Sequence, residues 1–228
     1  MKIVRSTLAT FDLDTDLIVA IDVLRAFTTA TYLFDLGVAE LILVADVQEA
    51  FDLREQHPDW LISGEVNGIQ VPGFDLGNSP SIAVTKTLRG KTIIQRTSAG
   101  TQVVRLASRA ETTLAASLTN LSATVNYIQK AAPAMLTLLQ TGYWPEEGWG
   151  DEDAACAEAI EQRLTWETVD WPGVFQRVRD SRSGRLFDGT CADFPPQDLE
   201  LALAVDQFDF AMEVRAENGL HVMRVMKV

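Results

Sequence analysis

The chain has 228 residues, of which 47% are hydrophobic, and a formal net charge of -13 at pH 7. This length and apolar content suffice for a full-sized core, and no linker-like segment interrupts the sequence, so we expect a single domain over residues 1–228. The acidic charge and the lack of a basic stripe argue against nucleic acid and anionic membrane surfaces as partners.

The cysteine content and the hydropathy predict a cytoplasmic protein. Cys156 and Cys191 are too few for a disulfide framework, and they lack the spacing of a zinc site. The sequence has no run of about 18 apolar residues that could cross a membrane. We therefore expect a cytoplasmic location without a membrane partner.

Short runs rich in Val, Ile and Leu alternate with segments of helical period, as is typical of βαβ units. Strands are predicted over 17–22, 41–45, 60–64, 92–95, 113–116 and 135–139, and helices over 25–36, 47–56, 81–88, 100–108 and 121–130. Further helices are expected from Asp151 and near Pro172, and a β-hairpin turns at Asn218-Gly219. The expected fold class is α/β, a three-layer α/β/α arrangement with a largely parallel central sheet and a C-terminal β-hairpin.

Asp22 lies at the carboxyl end of the predicted strand 17–22, where parallel sheets bind their ligands. Its carboxylate could bind a divalent cation or attack phosphorus, and Arg25 with the free amides of the next helix could hold phosphate oxygens. The alternative is that Asp22 only caps the helix and Arg25 pairs with it. This segment alone leaves both interpretations open.

Residues 64–80 contain four glycines and two prolines, which predicts a long ordered loop. Such loops in compact domains commonly carry function. Glu65 adds a second carboxylate after a strand. Asn78 and Ser79 precede a helix that begins at Pro80, where they either cap the helix or donate hydrogen bonds to an oxyanion.

Polar residues also follow the predicted strand 92–95. Five of them are of types found in anion sites at helix N-termini, with a local turn as the alternative: Arg96, Thr97, Ser98, Gly100 and Thr101. After the strand 113–116, Ser117 and Asn120 are predicted to cap a helix without a ligand.

Glu152 and Asp153 lie in the first turn of the helix that begins at Asp151, where acids complement the helix dipole without any metal. Their position beyond the carboxyl edge of the sheet favours a further role. Asp22, Glu65 and one or both of these acids are expected to converge and offer the hard oxygen ligands that Mg²⁺ prefers. An acidic metal site beside an anion site predicts phosphoryl chemistry.

Five segments, taken in order, resemble the 2-phosphosulfolactate phosphatase family. They are Asp-Val-Leu-Arg-Ala at 22–26, Gly-Glu at 64–65, Pro-Gly-Phe-Asp-Leu-Gly-Asn-Ser-Pro at 72–80, Thr-Ser-Ala-Gly-Thr at 97–101 and Glu-Asp-x-x-Cys-Ala at 152–157. The resemblance spans most of the chain, and 72–80 is its most specific element. It departs from the family pattern at Ala99, where Asn is common.

The resemblance implies a three-layer α/β fold and a Mg²⁺-dependent phosphoric monoester hydrolase. Its reaction converts 2-phospho-3-sulfolactate to 3-sulfolactate and phosphate, on the route to coenzyme M. We expect Asp22, Glu65 and the acidic turn to hold Mg²⁺ beside an attacking water, while Arg25 and the hydroxyl and amide donors neutralise the phosphoryl oxygens. In a second version, Asp22 is the nucleophile of a phosphoaspartyl intermediate.

Other functions stay open at this point. A phosphatase of the same fold could act on another small phosphoester, the donors could form a non-catalytic small-anion-binding module, or the loop 64–80 could serve as an assembly interface. The sequence does not fix association into a homodimer.

Overall fold

A computed structural model describes residues 1–11, 14–106, 109–142, 144 and 146–228. Within them, ten strands form a sheet in the order β1-β8-β2-β7-β9-β10-β3-β6-β4-β5. The strands are β1 (Lys2–Thr7), β2 (Thr15–Ile21), β3 (Glu40–Val44), β4 (Leu61–Val66), β5 (Ile69–Gln70), β6 (Thr92–Arg96), β7 (Ala110–Ala116), β8 (Met135–Gln140), β9 (Phe210–Glu217) and β10 (Leu220–Lys227).

Helices flank both faces of this sheet. They are α1 (Ala26–Asp35), α2 (Val47–Gln56), α3 (Pro80–Ala83), α4 (Leu121–Ala131), α5 (Asp151–Leu164), α6 (Trp171–Asp180) and α7 (Pro196–Ala202). The predicted α/β class, with a largely parallel sheet and a C-terminal hairpin, is confirmed. Two strands had not been predicted, β1 and β5, which are the edge strands of the sheet.

The hairpin of β9 and β10 lies in the middle of the sheet and separates two parallel halves. One half contains β1, β8, β2 and β7, and the other contains β3, β6 and β4. The pairs β7 with β9, β9 with β10, and β10 with β3 are all antiparallel. Three reversals in succession make the two halves run in opposite directions.

The site residues were expected at one carboxyl edge of a largely parallel sheet, whereas they come from two halves that run in opposite directions. Apolar patterning along the chain predicts strands but not their order in the sheet, so the hairpin was predicted but its central position was not. The ends of β4 and β6 nevertheless reach the end of β2. Strands in a sheet rotate by roughly 20–25° from one to the next, and this rotation accumulates over the strands between the two halves.

Helix α1 is the element that both halves enclose. Its Phe27 and Leu33 share one buried cluster with Ile18 of β2, Leu41 of β3 and Ile93 of β6. Helices α4 and α5 cover the opposite face of the first half, and α2 covers the opposite face of the second. Helix α1, which begins four residues after Asp22, therefore packs against strands of both halves.

Two predicted helices are shorter or of another type. The helix expected over 81–88 ends at Ala83, and β-branched residues at 84, 85 and 87 disfavour its continuation. The helix expected over 100–108 is a 3₁₀ helix, Gly100–Arg105, and residues 107–108 lie outside the described part. The predicted cap at Ser117 is confirmed, because its hydroxyl accepts from Thr119 N–H while Asn120 accepts from Ser117 N–H.

Gly64 permits the pairing of β4 with β6. Its φ is +140°, and a Cβ atom at this position would lie 1.8 Å from the carbonyl oxygen of Arg96. A side chain would therefore overlap the backbone of the neighbouring strand. Gly90 also has a positive φ, +75°, but a Cβ atom there would meet nothing within 4 Å among the described residues.

Replacing Gly64 by alanine should therefore cost more than replacing Gly90. We expect Gly64→Ala to lower the free energy of unfolding by about 2–5 kcal/mol, because overlap adds to the cost of a positive φ, and Gly90→Ala to lower it by about 1–2 kcal/mol. Urea titration followed by circular dichroism measures both. Equal losses in the two variants would contradict the steric explanation.

Candidate functional site

A cavity of about 550 Å³ opens where the ends of β2, β4 and β6 meet. Seven of the twelve predicted site residues line it: Asp22, Arg25, Glu65, Asn78, Ser98, Glu152 and Asp153. The other five lie outside its lining: Ser79, Arg96, Thr97, Gly100 and Thr101. The structure thus brings together all four predicted carboxylates.

Asp22 follows β2 directly and lines the cavity. Its Oδ1 accepts a hydrogen bond from the backbone N–H of Ala26 at 2.9 Å, so the helix contact considered from the sequence is present. Burial raises the pKa of Asp22 to about 7, the charges of Glu65 and Glu152 add to this, and the amides of Ala26 and Gly100 partly oppose it. Asp22 can therefore exchange a proton near neutral pH.

Gly100 contacts the carboxylate of Asp22 from the opposite half of the sheet. A Cβ atom at Gly100 would lie 2.6 Å from Cβ of Ala26 and 2.9 Å from Oδ2 of Asp22. Only glycine allows this approach. The residue was predicted as an anion contact, and the structure places it against the carboxylate instead.

Asp153, in the first turn of α5, joins two loops through both of its carboxylate oxygens. Oδ1 accepts from the backbone N–H of Val23 at 2.8 Å, and Oδ2 accepts from that of Gly142 at 2.9 Å. Burial raises the pKa of Asp153 well above its usual value, and the charges of Asp22 and Glu152 raise it further. Asp153 positions these loops and also faces the cavity.

Glu152 has a carboxylate oxygen available to a ligand. Its Oε2 is buried and has no hydrogen-bond partner within the described part of the chain. Burial raises the pKa of Glu152, although the side chains of Ser183 and Ser181 partly oppose the rise through hydrogen bonds. An unpaired buried carboxylate oxygen costs free energy, which a cation or a donor on a ligand would recover.

Glu65 is saturated by donors from two loops. Its Oε1 accepts from the backbone N–H of Ser98 at 2.5 Å, and its Oε2 accepts from the N–H of Gly68 at 2.5 Å and from the Ser98 hydroxyl at 3.0 Å. These bonds fasten the β4–β5 turn to the loop after β6. Ser98 therefore binds a carboxylate, whereas the sequence predicted an anion from outside.

Arg25 forms an ion pair with Asp198. The alternative considered from the sequence had Asp22 as the partner of Arg25. Its Nη1 donates to Oδ2 of Asp198 and to the carbonyl oxygen of Asp193, and its Nη2 donates to the carbonyl oxygen of Gly68. The guanidinium also lies 5.4 Å and 5.0 Å from two ring centroids, those of Phe187 and Phe194. Three separate segments are thereby held at one cation.

Asn78 and Ser79 have different roles although they are adjacent. The Oδ1 atom of Asn78 is buried in the cavity wall without a hydrogen-bond partner among the described residues. The hydroxyl of Ser79 caps α3 by accepting from Ile82 N–H and donates to Oδ1 of Asp198. Asn78 thus offers its amide to a ligand, whereas Ser79 is occupied by protein groups.

The remaining predicted donors are bound internally. Arg96 donates to the carbonyl oxygens of Ala45 and Glu65. Thr97 and Thr101 exchange bonds between each hydroxyl and the other residue's N–H, which forms the local turn that the sequence offered as an alternative. These residues shape the loop after β6 but do not reach the cavity.

Sequence reasoning missed the part of the site that the C-terminal third supplies. Leu186, Phe187 and Phe194 line the cavity, and Asp198 in α7 is fully buried beside Arg25. An acid in the first turn of a helix is expected to complement the helix dipole, so nothing in the sequence marked Asp198 as a residue of the site. Trp144 and Trp149 also line the cavity.

The carboxylates that line the cavity are ligands of the kind that a hard divalent cation such as Mg²⁺ prefers. Among the described residues, no three His, Cys, Asp or Glu side chains are placed to enclose a metal ion. Mg²⁺ usually takes one or two protein carboxylates and completes its shell with water and substrate phosphate. Asp22 and Glu152, with its unpartnered Oε2, fit that smaller requirement.

Comparison with known proteins gives consistent matches. The profile of a family described as 2-phosphosulpholactate phosphatase matches residues 4–183. A protein of Bacillus subtilis (strain 168) is 30% identical over 205 residues, which cover 89% of each chain. One from Caldanaerobacter subterraneus subsp. tengcongensis is 38% identical over 224 residues, covering 92% of this chain and 91% of the relative. Both relatives bear the name "Probable 2-phosphosulfolactate phosphatase".

Membrane-spanning helices were also sought. None of the helices in the described ranges is long and apolar enough to cross a bilayer.

Removing the carboxylate of Asp198 should destabilise the protein strongly, because it leaves the buried charge of Arg25 unpaired. We expect Asp198→Ala to lower the free energy of unfolding by about 3–5 kcal/mol. Glu200→Ala is the matched control on the same helix, because its side chain is 62% exposed and pairs with Arg179 at the surface. That variant should lose at most about 1 kcal/mol in the same urea titration. Similar losses in both variants would argue against a buried ion pair.

Proposed function

The chain belongs to the 2-phosphosulpholactate phosphatase family, and on this premise we propose that it removes phosphate from 2-phospho-3-sulfolactate and releases 3-sulfolactate. The observation that carries the proposal at the site is the convergence of Asp22, Glu152 and Asp153 in one cavity beside Arg25. We also propose that the protein acts in the cytoplasm and that the sulfolactate it releases is used to make coenzyme M.

Asp22 is the residue to which we assign the chemistry. Its carboxylate lies in the cavity, where it would hold Mg²⁺ beside an attacking water. The pKa of about 7 belongs to the metal-free protein, so Asp22 would lose a proton at neutral pH when the metal binds. The water oxygen forms the new bond to phosphorus while the bond from phosphorus to the ester oxygen breaks. Direct attack by Asp22 on phosphorus is the alternative, and the two routes differ in stereochemistry.

Arg25 and Asn78 are assigned to the phosphoryl group. Arg25 is held in place by Asp198 and two aromatic rings, so its orientation costs little additional entropy when a ligand binds. The amide of Asn78, turned to present its nitrogen, would donate to a phosphoryl oxygen. Both groups would act on charge that develops during the transfer.

We propose Mg²⁺ as the cofactor, with Asp22 and Glu152 as its protein ligands. The unpartnered Oε2 of Glu152 and the mutual repulsion of the buried carboxylates support this assignment. When bound, Mg²⁺ supplies positive charge against the phosphoryl oxygens and acidifies water. Asp153 and Glu65 hold the surrounding loops through their backbone donors, which sets the position of the two ligands.

Replacing Asp22 by asparagine should abolish most of the phosphatase activity. We expect phosphate release from 2-phospho-3-sulfolactate to fall about 10²–10⁴-fold in kcat, because a charged ligand of the proposed Mg²⁺ site is lost. The exposed Asp35→Asn, at the end of α1, is the control and should retain wild-type kcat. Full activity of Asp22→Asn would refute the assignment. With a chiral phosphate ester, inversion at phosphorus supports direct attack by water, and retention indicates a phosphoaspartyl route.

The Mg²⁺ assignment predicts a pH-dependent effect on thermal stability. The folded pKa of Asp22 lies above its unfolded value of 3.8, so folding favours the protonated form and stability falls as pH rises towards 7. In EDTA, we expect the melting temperature to fall between about pH 5.5 and about pH 7.5, and Mg²⁺ to raise it most at the higher pH. Differential scanning fluorimetry measures this, and the effect should be smaller in Asp22→Asn, where only the raised pKa values of Glu152 and Asp153 still contribute to it. A melting temperature that Mg²⁺ does not change at either pH would contradict the proposed Mg²⁺ site.

A further inference from the structure

Arg25 keeps two N–H donors that its protein partners do not use. Nη1 donates to the carboxylate of Asp198 and to the carbonyl oxygen of Asp193, and Nη2 donates to the carbonyl oxygen of Gly68. A guanidinium carries five N–H groups, so one on Nε and one on Nη2 have no acceptor among the residues that the structure describes. These two donors are available to a ligand in the cavity that Arg25 lines.

Asp198 joins Arg25 to the segment that carries Asn78. Its carboxylate is fully buried, and its two oxygens contact different segments. Oδ2 accepts from Nη1 of Arg25 at 2.8 Å, whereas Oδ1 accepts from the Ser79 hydroxyl at 2.8 Å and from the backbone N–H of Ser81 at 2.9 Å. Asn78 directly precedes Ser79 and also lines the cavity. One carboxylate therefore fixes both side chains assigned to the phosphoryl group relative to each other.

These contacts require a carboxylate at position 198. A carboxylate offers two acceptor oxygens, whereas the amide of asparagine offers one oxygen and one NH₂ group. An amide that accepts from Arg25 through its oxygen would turn its NH₂ group towards the backbone N–H of Ser81, so two donors would face each other. Asparagine would therefore break the link on one side.

We propose that Asp198 is a positioning residue of the phosphatase reaction, which holds Arg25 and Asn78 at the spacing that one phosphoryl group requires. The inference rests on the proposed function and deepens it. It assigns a role to a residue beyond position 183, where the match to the family profile ends. Asp198 is absent from the described lining of the cavity, so it acts through Arg25 and Asn78 and does not touch the substrate.

Asp198→Asn tests this role, with 2-phospho-3-sulfolactate as the substrate and Glu200→Gln as the control. Both variants remove one negative charge from α7, but the side chain of Glu200 is 62% exposed and pairs with Arg179. We expect kcat to fall about 10–100-fold in Asp198→Asn and KM to change less than about threefold, because misplaced groups lose contacts that form in the transition state. Glu200→Gln should retain the wild-type kcat.

The assays are run at a temperature at which differential scanning fluorimetry shows each variant to be folded. A residue with a structural role alone would lower the melting temperature in Asp198→Asn and leave kcat of the folded protein unchanged. That result would overturn the inference and leave the proposed function intact. A wild-type protein that releases no phosphate from this ester would overturn the proposed function, and the inference with it.

Combining Asp198→Asn with Arg25→Lys shows whether Asp198 acts through Arg25. We expect the double variant to lose less activity than the product of the two single losses, because both changes disturb the same contact. Losses that multiply would contradict this.

Ser79→Ala tests the other side of the link, and it replaces Asp198→Asn if that variant does not fold. It removes the contact between the Ser79 hydroxyl and Oδ1 of Asp198 while leaving the ion pair with Arg25 in place. We expect kcat to fall about 3–10-fold, and Ser79→Thr, which keeps the hydroxyl, to retain most of the wild-type value. An unchanged kcat in Ser79→Ala would overturn the link between Asp198 and Asn78.

Discussion

Four carboxylates buried in one cavity are the constraint on which this structure depends. Each would repel the others, and burial removes the water that would screen them. Hydrogen bonds from backbone N–H groups stabilise three of these carboxylates. Asp22 accepts from Ala26, Asp153 from Val23 and Gly142, and Glu65 from Gly68 and Ser98. The same bonds tie together the loops that follow β2, β4, β6 and β8. The acids therefore both line the cavity and hold its loops together.

The sequence predicted these acids because their chemistry is visible where a buried strand ends. Asp22 and Glu65 follow apolar runs, whereas Glu152 and Asp153 were noticed as acids in the first turn of a predicted helix. What could not be predicted is how the strands that carry them are arranged. The central hairpin reverses half of the sheet, and only long-range pairing such as His221 with Leu43 reveals it.

The donors were harder to interpret than the acids. A hydroxyl or a guanidinium beside a predicted helix serves a ligand, a cap or another side chain equally well in a sequence. Ser79 caps a helix and binds Asp198, and Arg25 binds groups more than 160 residues away in the chain, the carbonyl oxygen of Asp193 and the carboxylate of Asp198. The match to the family ends at residue 183, before Leu186, Phe194 and Asp198. The family profile therefore matches the part of the chain that carries the four acids but not the part that carries these three residues.

The central position of the hairpin also bears on the order in which the protein can fold. In chain order, β9 and β10 follow every other strand, yet they join the two parallel halves. Each half can pair its own strands earlier, but until the hairpin arrives β7 and β3 present open edges that are prone to pair with other chains. Pairing over such a sequence separation is slow. Continuous closure of the sheet around α1, and with it the assembly of the cavity, is therefore expected to be a late folding event.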